Sequence, residues 1–171
     1  TLTGTYKYGD SITIDASYGE ENGYTIEFGK WKSNSQKLME DNTTKNLTFT
    51  MPAGDLTLTA VANRIPLDTS YKVEYYYQKD GKYPEVPDDT LTRNGKTGEQ
   101  VSVTSADKVP ITEGYIYDAD AEGKIESTGE EGIAPDGSTT LRVYFKQQFT
   151  VTYKPGEYGT FDILTIKNIR I

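Results

Sequence analysis

The sequence predicts a mainly β protein, and three observations carry that prediction. Apolar and polar residues alternate along most of the 171 positions, which is the period of a strand with one buried face. Threonine is frequent and tyrosine supplies 14 residues, both types that favour a pleated, half-buried surface. No stretch longer than about ten residues carries helical periodicity, so a layered α/β fold is not expected.

The elements follow in chain order. Ile12, Ile14 and Ala16 share one face of a first strand. Tyr24, Ile26 and Phe28 share a face of a second, and Trp31 arrives out of phase after Gly29, as a bulge would allow. Leu47, Phe49 and Met51 mark a third strand, and Leu56, Leu58, Ala60 and Ala62 a fourth, with a Pro-Ala-Gly-Asp turn between them. The alternation breaks at 63–70, "NRIPLDTS", which reads as a linker. Beyond it, Tyr71, Val73, Tyr75 and Tyr77 share a core face. Val101 and Val103 predict a short strand, Thr104 or Ser105 a helical cap, and "PDGS" at 135–138 a turn. Leu141, Val143 and Phe145 give the core face of a closing strand. Phe149, Val151 and Tyr153 then repeat the spacing of Tyr71, Val73 and Tyr75, which suggests a tandem array. The division is therefore 1–64, 65–147, and 148–171 as the start of a third repeat or a tail.

Charge and missing residue types exclude several chemistries. The formal net charge of -8 argues against a nucleic-acid partner. Without cysteine or histidine there is no thiol or imidazole chemistry and no ordinary zinc, copper or haem site. No apolar run approaches the roughly 20 residues of a membrane helix, so membrane insertion is not expected in this segment. The pairs Glu20/Glu21, Asp88/Asp89 and Glu130/Glu131 lie in hydrophilic turns and read as solubility charge. No cofactor, metal or catalytic residue is expected.

Short segments carry a resemblance. "GTYKYGDSITIDA", "GYTIEFGKW" and "FTMPAGDLTLTA" resemble divergent internalin-B-type repeats of bacterial surface proteins. "YKVEYYYQKDGKYPE", "GKTGEQVSVTSADK", "EGYIYD" and "STTLRVYFKQ" resemble the mucin-binding-protein-type repeats that often follow them. The resemblance implies two small β-grasp-like modules in an elongated, monomeric arrangement. It further implies an extracellular, cell-wall-attached place in a longer Gram-positive surface protein, and a non-catalytic stalk or adhesion role. Neither repeat type carries a catalytic set that could be transferred residue by residue.

Two stretches invite a sharper reading. In 118–126, "DADAEGKIE", Asp118, Asp120, Glu122 and Gly123 fall where a calcium loop wants them. The position of its closing glutamate is Gly129, so the stretch reads as an acidic hairpin tip. Tyr76 and Tyr144 fall on the outward phase of their strands. On neighbouring strands they would form a surface platform, the alternative reading being a module that binds host or extracellular glycans, mucins or proteins.

Overall fold

The computed structural model describes residues 3–34, 43–152, 154 and 156–159. Their strands form three sheets and only single 3-10 turns interrupt the β structure. The mainly β fold predicted from the alternation is present.

The first 66 residues contribute two antiparallel pairs. β1 (Ser11–Asp15) pairs with β3 (Asn46–Thr50), and β2 (Tyr24–Ser33) with β4 (Leu58–Pro66). The strands turn inward the faces their alternation specifies, except that β4 begins only at Leu58, after Leu56, and its Ala62 is exposed. Ile14, Leu47 and Phe49 of one pair meet Phe28, Trp31, Leu58 and Ala60 of the other, with Ala16 and Tyr18 closing the cluster. The outward threonines also pair, Thr13 Oγ1 and Thr48 Oγ1 lying 2.8 Å apart across the ladder. The register slips between Phe28 and Lys30, so Gly29 is the bulge that turns Trp31 inward. The Trp31 indole donates to the Thr44 carbonyl at 3.1 Å, satisfying its one polar atom.

Residues 63–70 are not a linker. β4 runs to Pro66 and β5 (Asp68–Tyr77) begins two residues later, leaving only Leu67 between the strands. Leu67 is held from both sides: its amide donates to the Gly23 carbonyl and its carbonyl accepts from the Thr97 amide. Proline is tolerated at the end of β4, where no ladder amide is required of it. What broke the alternation is that Arg64 and Ile65 face solvent in a stretch that is nonetheless hydrogen-bonded to β2.

The remaining strands form one mixed sheet. β5 is flanked by β6 (Asp89–Lys96), antiparallel, and by β8 (Thr140–Gln147), parallel; β7 (Tyr115–Tyr117) is antiparallel on the far side of β8. The order β6-β5-β8-β7 places the first and last strands side by side at the centre. Tyr71, Val73 and Tyr77 join Leu141, Val143 and Phe145 in the core, as the pattern predicts. Val101, Val103 and Ile133, carried by long connections, cover that face. Val101 and Val103 do not form the predicted strand; a single bridge between Ser102 and Ser127 marks the place. Ile133 is fully buried and no periodicity announced it, because it stands alone between the 3-10 turn at Gly129–Glu131 and the turn at 135–138.

Part of the proposed third repeat, including Tyr153 and 160–171, lies outside the described residues. Phe149–Thr152 takes no strand conformation, and Phe149 and Val151 are exposed.

Candidate functional site

The tyrosine pair was the one ligand-binding site the sequence offered, so its geometry matters first. Tyr76 and Tyr144 are directly paired across β5 and β8 and stack with ring centroids 4.8 Å apart and planes at 12°. The neighbourhood was legible; the exposure was not. Tyr76 retains 5% of its accessible surface and Tyr144 8%, so the outward assignment is corrected.

The acidic stretch 118–126 is what covers them. β7 pairs with the end of β8, and Asp118 then donates its amide to the Tyr144 carbonyl. The chain leaves the ladder and returns at Ile125, which exchanges both backbone hydrogen bonds with Arg142. Residues 119–124 are thus an excursion in the strand beside β8, not a hairpin tip, and Ala121 at its base is buried on the tyrosine stack. Tyr83 closes another side, edge-on to Tyr144 at 4.9 Å.

The polar atoms around this second core are engaged. Asp118 accepts from Tyr83 Oη at 2.8 Å, Lys146 Nζ at 3.1 Å and the Asp120 amide at 3.2 Å. Burial alone would raise its carboxyl, but these donors hold it below the ordinary aspartate value. The residue that opens the apparent calcium loop is therefore an anchor for the loop itself. Tyr76 Oη donates to Glu74 at 2.7 Å; burial first, and this bond second, push the phenol up to about 12. Tyr144→Ala should therefore lower stability by about 3 kcal/mol, as truncation of a buried aromatic does. An outward tyrosine would change it by less than about 0.5 kcal/mol, and urea unfolding separates the two.

A second polar cluster was not singled out in the sequence. Asp107 sits in the 3-10 turn Ala106–Lys108 and is buried beneath β5 and β6. Arg93 grips it with both terminal nitrogens, at 2.5 and 3.0 Å, and Tyr75 Oη donates at 2.7 Å. Thr104 and Asp107 cap each other reciprocally. The Thr104 amide and hydroxyl donate to Oδ2, while the Asp107 amide donates to Thr104 Oγ1. The capping side chain is thus Thr104's, while Ser105, at the N-cap position itself, makes no side-chain cap bond. Burial would raise the Asp107 carboxyl, yet Arg93, Thr104 and Tyr75 together hold it far below the usual range. The sequence signal was present: Thr-x-x-Asp has the spacing of a reciprocal cap.

Two of the paired carboxylates also have structural roles rather than serving only as surface charge. Asp88 accepts from the Tyr77 amide at 2.9 Å and from Lys79 at 2.5 Å, pinning the turn at Asp80 and Gly81. Glu21 pairs with Arg64, whose guanidinium lies 3.3 Å above the Tyr24 ring.

That last group belongs to the seam where the first two sheets meet the mixed one. Tyr24 Oη donates to the Thr97 carbonyl at 3.3 Å. Gly23, at φ 81°, packs so closely that a Cβ would lie 2.5 Å from Pro135 Cβ and 2.6 Å from Thr97 Cγ2. A Cβ at Gly98 would lie 2.5 Å from Tyr24 Oη. The seam encloses a shallow cleft of about 350 Å³ bordered by Glu21, Arg64, Thr97 and Glu131. Its charged groups are largely spent on one another, and its glycines serve close approach of backbones.

Comparison with known families adds one match: residues 1–66 fit the family model of the divergent InlB B-repeat domain, a repeat type typical of bacterial surface proteins. The match ends at Pro66, the last residue of β4. No curated protein and no solved structure matches the chain.

Proposed function

We propose that this chain is a non-catalytic, extracellular segment of a bacterial surface protein, in which two grasp-like units act in series as stalk or adhesion repeats. The observation that carries the reading is the seam. Two separate hydrophobic clusters, one from residues 14–60 and one from 71–145, are joined by a strand that passes from β4 to β5 through one doubly hydrogen-bonded residue. A stalk needs such a connection, because a flexible linker would let successive units fold back on each other. The strand order β6-β5-β8-β7 supports a grasp-like second unit, with long covering connections in place of a helix.

The electrostatics support a passive role. Among the described residues, every carboxylate with a perturbed affinity for protons is shifted downward by an ion pair or hydrogen bond. A general acid near neutral pH needs the opposite shift. The tyrosine platform lends no support to glycan binding, since stacking on a sugar needs an open ring face.

Small-angle scattering tests the arrangement. Two units in series should give a radius of gyration well above the ~16 Å of a compact globule of this length. A value near ~16 Å would overturn the stalk reading.

A further inference from the structure

We infer that the mixed sheet is a mechanical clamp, built so that tension along the chain shears its central strand pair instead of unzipping it. The use of such a clamp rests on the stalk reading; the mechanical property stands or falls by itself.

The chain enters the sheet at Asp68, the first residue of β5, and leaves it at Gln147, the last residue of β8. β5 and β8 are parallel neighbours, in continuous register from Lys72 opposite Thr140 to Tyr77 opposite Phe145. In a parallel pair the start of one strand and the end of the other lie at opposite ends of the ladder. Tension on the entry and exit points is therefore directed along the strands. The evenly spaced inter-strand bonds are then loaded together, and none can be released first. Backbone bonds outside the strands extend the ladder at both ends, from the Lys72 amide to the Thr139 carbonyl and from the Gln78 amide to the Phe145 carbonyl, each 2.9 Å.

One face of this pair is dry and the other is covered over its C-terminal half. Val73, Leu141, Val143 and Phe145 are fully buried on one side. On the other, Tyr76 and Tyr144 stack beneath Ala121 and Tyr83. Water that would compete for a strained amide has no direct approach from the first face, nor at Tyr76 and Tyr144 from the second, which strengthens those bonds under load. This gives the excursion at 119–124 a purpose that neither calcium binding nor sugar stacking supplied: it covers the C-terminal half of the clamp's second face.

The first two sheets are built differently. There β1 pairs with β3 while the exit strand β4 pairs with β2, so entry and exit strands share no ladder. Load must cross the side-chain contacts around Trp31, and this part should yield first.

The absence of cysteine in the chain allows two pulling geometries to be installed by paired substitutions at exposed positions. In the full chain, handles on Asp68→Cys and Gln148→Cys pull along the ladder. Handles on Asp68→Cys and Ser138→Cys pull the same two strands apart from one end. Single-molecule force spectroscopy at one loading rate should give a rupture force about threefold or more higher in the first geometry, because the ladder bonds share the load. The released length should approach the roughly 26 nm of extended chain between Asp68 and Gln147, less the folded span. Equal forces in the two geometries would overturn the clamp, whatever the scattering says. A high shear force with a compact scattering profile would instead retain the clamp and remove the stalk.

Discussion

Phe145→Ala is expected to cost about 3–5 kcal/mol of stability, the largest loss of any single truncation in the mixed sheet. Phe145 is fully buried and packs against three other aromatic rings of the core. Its ring stacks on Tyr77 at 4.8 Å and on Tyr75 at 6.4 Å, and meets Tyr117 edge-on at 6.5 Å. Its carbonyl also accepts the Gln78 amide that extends the central ladder, so the site cannot collapse inward without moving backbone. A cavity bounded by a hydrogen-bonded strand pair relaxes little, which places the cost high in the usual range. Urea unfolding read by tyrosine fluorescence should show the midpoint of the mixed sheet fall, while the single tryptophan, Trp31, reports the first two sheets separately. A loss below about 1 kcal/mol would mean that this core is not packed as described.

The second large effect concerns charge. Asp107→Ala should lower stability by about 3 kcal/mol, because it strands Arg93 and leaves Tyr75 and Thr104 without their acceptor. Arg93 keeps some access to water, which holds the expected loss at the lower end of the range for a broken buried pair. The same carboxylate sets a pH dependence. Its affinity for protons is lower in the folded than in the unfolded chain, where an aspartate titrates near ~4. The ion pair therefore contributes fully above about pH 5, and the contribution is lost as pH falls below ~4 towards the folded value. Thermal midpoints should be flat above that region and drop below it. Asp107→Asn keeps the shape but removes the charge, so its midpoint should be lower at neutral pH and its acid decline shallower. A residual slope should remain from Asp118 and Asp88, which are shifted in the same direction. A variant with an unchanged acid profile would show that Asp107 does not carry this linkage.

These two residues differ in how readily the sequence disclosed them. Phe145 was legible because it stands in phase with Leu141 and Val143, and period-2 alternation names a buried face without knowing what covers it. Asp107 stands in no alternating strand. Its Thr-x-x-Asp spacing signals a local cap, but the partners that make it a buried ion pair come from Arg93 and Tyr75 on other strands.

The bulge at Gly29, the turn at 135–138 and the inward faces of β1 to β5 and β8 were determined by the sequence itself. Each depends on residues within a few positions of one another, where steric and hydrophobic rules act directly. Three features were decided only by tertiary structure. β5 and β8 pair in parallel, although more than sixty residues separate their matched positions, and alternation is silent about partners. The face carrying Tyr76 and Tyr144 is buried because residues 119–124 leave one ladder and return to it, which no pattern inside β5 or β8 can announce. The apparent linker at 63–70 is strand because Leu67 finds Gly23 on one side and Thr97 on the other. Local chemistry chooses conformations and faces; which surfaces meet is chosen by contacts between distant segments, and those contacts exist only once the chain has folded.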